Sequence, residues 1–139
     1  MQRRNFIKQS CLACGGLLLG GSILTMLESC QSLPTYKATK GKEISVPVSQ
    51  FMQSKVLVVS APWMSFDILL VKKTEEEYKA LYMKCSHQDQ ILSATETGLF
   101  CVAHGSSFDL DGNVQKEPAI EPLQQFKTRV ENNQIIITL

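Results

Sequence analysis

Between residues 85 and 109 the chain reads CSHQDQILSATETGLFCVAHGSSFD. Both of its histidines and its only cysteines beyond residue 30 lie there, in the order Cys, His, Cys, His. Two short pairs, Cys85-Ser86-His87 and Cys101-Val102-Ala103-His104, flank a thirteen-residue loop from Gln88 to Phe100. Thiolate and imidazole together suit zinc, copper or iron. A zinc finger presents both cysteines from one knuckle and both histidines from a helix. Here each knuckle offers one of each. That arrangement suits a two-metal cluster in which one metal takes both thiolates and the other both imidazoles.

The other cysteines, Cys11, Cys14 and Cys30, sit in the first thirty residues. A disulfide-rich scaffold scatters its pairs through the fold, so this distribution argues against one. The 139 residues allow one domain with an appendage, and a formal net charge of +1 gives no electrostatic case for nucleic-acid binding.

The appendage comes first. The chain opens MQRRNFIKQSCLACGGLLLGGSILTMLESCQS. Arg3, Arg4 and Lys8 precede a run from Cys11 to Leu27 without a charge. A positive start followed by an apolar run is the layout of an export signal. RRNFIK resembles the twin-arginine motif, a receptor-read address. Leu27-Glu28-Ser29-Cys30 resembles a lipoprotein processing site, although Glu28 departs from the small residue usual there. An uncleaved anchor is the competing reading, and the apolar run is short for a bilayer span. Both place the domain on the outer, periplasmic side of a membrane, tethered by an N-terminal anchor or a lipid. Residues 1–30 are read as this signal, 31–42 as a polar linker and 43–139 as the folded domain. From residue 31 onward eleven Lys or Arg face twelve Asp or Glu, a net −1.

The domain reads as strands. ISVPV, KVLVVS, FDILLVKK, YKALYMKC, LFCVA and QIIITL are short runs of β-branched, aromatic and aliphatic residues. Asp111-Gly112, Thr97-Gly98 and Asn132-Asn133 supply turns. Pro47 demotes its run to an edge strand or a bulge. KTEEEYKALYM fits a helix or a strand, and Glu75 to Glu77 read as a solvated turn. Trp63 reads as core or lid. Many short strands with frequent turns predict an all-β sandwich or barrel.

The segment HGSSFDLDGNV after the second knuckle resembles the His-Gly-Ser-x-Phe/Tyr-Asp run of Rieske iron–sulfur domains. KEPAIEPL, with Pro118 and Pro122, resembles the proline-bearing loop that covers their cluster. FKTRVENNQIIITL resembles their closing hairpin. The resemblance spans about residues 43 to 139. It implies three layers of antiparallel sheet, a β-sandwich with a small cluster-binding subdomain. It makes Cys85 and Cys101 ligands of one iron, His87 and His104 ligands of the other, and Ser106 a hydrogen-bond donor to a bridging sulfide. The chain departs from the family in three places. Asp89 replaces the glycine of Cys-x-His-x-Gly, the ligand loop is a few residues short, and Gln90 and Ala103 stand where the cytochrome bc-type subfamily has two further cysteines.

The expected function is one-electron transfer by a cluster-bearing protein or subunit of a membrane-associated oxidoreductase. It would need a redox donor and a redox acceptor; by resemblance, they dock at the histidine-bearing iron. With both histidines used as ligands, no Ser/His/Asp set remains for independent catalysis. The alternatives are a zinc-stabilised interaction module and a Rieske ferredoxin component of an oxygenase.

Overall fold

Three hydrophobic runs, VLVVS, ILLVK and YKALY, occupy the middle of the fold and are buried on both faces. A computed structural model describes residues 32–139. The readings of residues 1–30, including the twin arginines and Cys30, lie outside the described residues. The strands are β1 (Thr35–Lys37), β2 (Glu43–Pro47), β3 (Val56–Ser60), β4 (Ile68–Lys72), β5 (Tyr78–Tyr82), β6 (Leu92–Ala94), β7 (Leu99–Cys101), β8 (Ser107–Phe108), β9 (Val114–Lys116), β10 (Gln125–Glu131) and β11 (Gln134–Thr138). A single 3₁₀ turn, Val48–Phe51, follows β2, and the described residues contain no α-helix.

A seven-stranded sheet has the order β1-β3-β4-β5-β10-β11-β2, and a smaller sheet has the order β6-β7-β8-β9. The large sheet folds over on itself. Ile44 and Val46 of β2 and Ile135 and Ile137 of β11 share one core with Leu57, Val59, Ile68, Leu70 and Ala80 of the central strands. The two margins meet where the Tyr36 hydroxyl of β1 donates to the Ser45 carbonyl of β2 at 3.2 Å. The opposite face of the central strands offers Val56, Leu69, Val71 and Leu81 to a second core, shared with Leu92, Leu99 and Phe108 of the small sheet. The result is the three-layer, all-β architecture that the sequence implies. Burial on both faces explains why β4 reads as a continuous apolar run rather than an alternating one.

The turns follow local chemistry. Asn132 and Asn133 have φ of 48° and 60°, the pair of positive values that a two-residue hairpin of this twist demands. Thr74 holds the β4–β5 turn by accepting the Glu76 and Glu77 amides at 3.3 and 3.0 Å. KTEEEYKALYM is therefore turn and strand, with Glu75 to Glu77 exposed. Pro47 ends β2 on the sheet margin, where its missing donor costs no ladder bond. Trp63 packs against the first core, remote in the layering from the cysteines.

One boundary differs from expectation. Within the span 31–42 that the sequence assigns to a linker, Thr35–Lys37 forms β1 and pairs in parallel with Val58–Ser60. It is the one parallel pairing among the described strands. Three residues are too few to display a two-residue period. What holds them is non-local: the register with β3 and the Tyr36 contact across the margins.

Candidate metal centre

The two knuckles are built by backbone hydrogen bonds at the ends of strands. The first leaves the large sheet after β5. Lys84 bridges to Ile91, and the Cys85 amide donates to the Gln90 carbonyl at 2.8 Å. This closes residues 85–90 into a tight loop with His87 at its exposed tip. Asp89, which stands where the family has glycine, forms an ion pair with Lys84 at 3.0 Å. The second knuckle follows β7. The Cys101 amide donates to the Ser106 carbonyl at 2.8 Å, and the Gly105 amide donates back to the Cys101 carbonyl at 2.8 Å. Gly105 has φ of 83°, which lets the chain reverse just after His104.

This folding brings the predicted residues to one end of the domain. Cys85 and Cys101 are 0% and 1% exposed, unoxidised, and packed in the second core. His87 and His104 are exposed, and their ring centroids lie 5.0 Å apart with planes at 82°. The Cys101 sulfur and His104 Nδ1 are 3.9 Å apart. Among the described residues no three His, Cys, Asp or Glu side chains gather around one ion position; a cluster held two-plus-two asks for pairs. The donors thus form an inner thiol side and an outer imidazole side. Their chemistry and segregation fit a two-iron centre with unlike ends.

Ser106 is fully buried, and its hydroxyl oxygen accepts the Ala119 amide at 3.0 Å. That bond ties the second knuckle to the proline-bearing loop at residues 117–122. Phe108 is 2% exposed and lies in the same buried group as both cysteines. Ser86 carried no assignment from sequence, yet its hydroxyl donates to the Glu121 carbonyl at 2.6 Å. Its position between Cys85 and His87 was the one available hint.

The small sheet is pinned to the large one through the β8–β9 turn. Asp109 organises that turn by accepting the amides of Asp111 and Asn113 at 2.8 and 2.9 Å. Partial burial pushes the Asp109 carboxyl up, but the Asn113 side-chain and backbone bonds outweigh it and leave the group below its usual range. Asp111 reaches Lys73 and Lys79 of the large sheet at 2.9 and 2.6 Å. Hydrogen bonds from these two ammonium groups bring its carboxyl down to about 2.

The sequence pattern that defines the Rieske [2Fe-2S] domain matches residues 41–127, more than half of the chain. The chain belongs to the Rieske [2Fe-2S] domain family. The cofactor of this Rieske domain is accordingly a Rieske-type [2Fe–2S] cluster. A cytochrome b6-f complex iron-sulfur subunit from Chlorobaculum thiosulfatiphilum is 28% identical over 107 residues, covering 72% of this chain and 52% of that protein. The chain therefore spans about half the length of that relative. Two solved structures share the fold. A plasma membrane Rieske protein from the cyanobacterium Synechocystis PCC 6803 superposes with a TM-score of 0.52 at 24% identity, covering 61% of this chain and 87% of that one. A chain from the complex of reduced oxygenase and oxidized ferredoxin in carbazole 1,9a-dioxygenase superposes with a TM-score of 0.53 at 16% identity, covering 71% and 94%.

Proposed function

We propose that this Rieske protein is an exported, membrane-tethered electron carrier whose cluster is held by Cys85 and Cys101 on one iron and His87 and His104 on the other. The observation that carries the ligand set is the segregation of two buried thiols from two exposed, adjacent imidazoles at one end of the domain. The bound cluster would accept and release one electron at a time. The protein's part is to bury the sulfur side, direct the Ser106 hydroxyl toward it, and leave the histidine tips open to partners. Three large apolar side chains at the knuckles and on the proline loop are open to solvent: Ile91, Val102 and Ile120 are 71%, 74% and 84% exposed. They supply an apolar surface on which a redox donor or acceptor would seat.

The tether rests on the sequence before residue 31; among the described residues no helix is long and apolar enough to cross a membrane. A Rieske ferredoxin serving an oxygenase is the second reading. It is favoured by Gln90 and Ala103, which leave the knuckles without the extra cysteine pair of bc-type relatives.

Metal and sulfide analysis tests the assignment. About two irons and two acid-labile sulfides per chain are expected. Cys85→Ser, Cys101→Ser, His87→Ala and His104→Ala should each abolish the cluster spectrum. One zinc and no sulfide in protein from the native host would replace this reading with a structural zinc module.

A further inference from the structure

The loop at residues 117–122 meets both ligand-bearing turns, once each. At the second knuckle the Ala119 amide donates to the Ser106 hydroxyl oxygen at 3.0 Å. At the first, the Ser86 hydroxyl donates to the Glu121 carbonyl at 2.6 Å. The loop is itself held from beneath. Ala119 and Leu123 are 0% and 3% exposed in the core that contains both cysteines, and the Leu123 amide donates to the Gly112 carbonyl at 2.8 Å. No disulfide joins the knuckles, since both cysteines are unpaired and Gln90 and Ala103 occupy the positions that could carry another pair.

We infer that Ser86 is a positioning residue: its hydroxyl fastens the first knuckle to the loop that Ser106 fastens to the second, so residues 117–122 act as a non-covalent crosslink between the two halves of the ligand set. The inference rests on the ligand assignment above and deepens it. A displacement of one knuckle relative to the other must break one of these two bonds or drag a loop rooted in the core. Ser86 is exposed, so the Glu121 bond adds no more to global stability than one neutral hydrogen bond does. It fixes where His87 and Cys85 sit relative to His104 and Cys101, and that spacing governs how long a cluster shared between them is retained.

The test uses the full chain, loaded with cluster, as wild type, Ser86→Ala and Ser86→Thr. Decay of the cluster's visible absorbance in excess chelator should be about fivefold faster in Ser86→Ala, the factor that one neutral hydrogen bond supplies. Ser86→Thr keeps the hydroxyl and should decay at the wild-type rate. Hydrogen exchange gives a second readout. The Ala119 amide should exchange faster in Ser86→Ala, while the amide of Leu70 in β4 should not change. Equal decay rates with unchanged Ala119 protection in Ser86→Ala would overturn the inference, as would failure of Ser86→Thr to restore them. If wild type proves to hold no iron–sulfur cluster, the ligand assignment falls; exchange at Ala119 still decides whether Ser86 restrains the loop.

Discussion

Ser106 offers its hydroxyl oxygen to the Ala119 amide at 3.0 Å inside the core. One lone pair is thereby engaged, and the hydroxyl hydrogen is left to point elsewhere. In the reading proposed above it points at cluster sulfur, where a donor favours the more negative, reduced state. Ser106→Ala should then lower the reduction potential by tens of millivolts; each 1.4 kcal/mol corresponds to about 59 mV for one electron. It also strands a buried amide, which should cost roughly 1–3 kcal/mol of stability. Protein-film voltammetry and thermal unfolding read the two effects separately, and an unchanged potential would remove Ser106 from the donor role.

In the His-Gly-Ser-x-Phe/Tyr-Asp run that this chain resembles, Phe108 takes the position where a tyrosine would add a second hydroxyl donor, the arrangement that the resemblance associates with high potential. The Phe108 ring is buried in the core that also contains both cysteines. The wild-type potential should accordingly lie in the lower or middle part of the Rieske range, roughly −150 to +300 mV. Phe108→Tyr should raise it by tens of millivolts, again measured by voltammetry. A lowered potential would show that the new hydroxyl does not reach sulfur.

Two glycines should respond differently to alanine. At Gly98 an added Cβ would land on the Phe108 carbonyl oxygen, a backbone atom that cannot swing away. Gly98→Ala should destabilise the small sheet by about 1–3 kcal/mol or more, as overpacking does. At Gly105 nothing lies within 4 Å of the added carbon, but φ is 83°. Gly105→Ala should cost only the left-handed backbone term, on the order of 1 kcal/mol. Denaturant unfolding of the two variants checks the ranking.

Asp111 predicts an acid-sensitive joint between the sheets. Lys73 and Lys79 hold its carboxyl down to about 2. A lowered folded-state value means that the pairing stabilises the protein above the unfolded-state value near 4 and loses that effect as pH falls toward 2. Because the carboxylate is 39% exposed, the contribution is modest. Asp111→Asn should lower the melting temperature at pH 7, and the gap to wild type should shrink below pH 4. A constant gap from pH 7 to pH 3 would assign the effect to turn geometry instead.

The export reading makes its own demand. Changing Arg3 and Arg4 together to lysine should leave the protein in the cytoplasm, because the receptor reads the pair rather than the charge. Cys30→Ser should release the domain from the membrane or leave it unprocessed if that sulfur carries lipid. Fractionation with detection of the folded domain answers both. Normal export of the double-lysine variant would remove the twin-arginine assignment.

Much of this architecture was legible because its signals are local. The Asn132-Asn133 pair announces a hairpin through its tolerance of positive φ, and four Cys and His residues announce a metal by their chemistry. β1 was illegible because its three residues take their conformation from β3, not from their own pattern. Ser86 was hidden because its partner is a backbone carbonyl, which leaves no mark in a sequence. Gly98 closes the β6–β7 turn as its sequence suggests, with its carbonyl accepting the Thr95 amide at 2.8 Å, but a second reason for glycine lies in a distant strand: close approach of the Phe108 backbone, with no left-handed φ.

The meeting of Tyr36 with Ser45 bears on how this protein can be recognised. It sets the outermost strands of the large sheet against each other, so neither margin is offered freely to a visiting chain. Strand addition, which grips through a ladder of main-chain bonds, is disfavoured there. On the large sheet, association is left to side chains and loops rather than to its margins. For the electron carrier proposed above, which would meet one protein to be filled and another to be emptied, a margin closed in this way favours brief encounters over lasting ones.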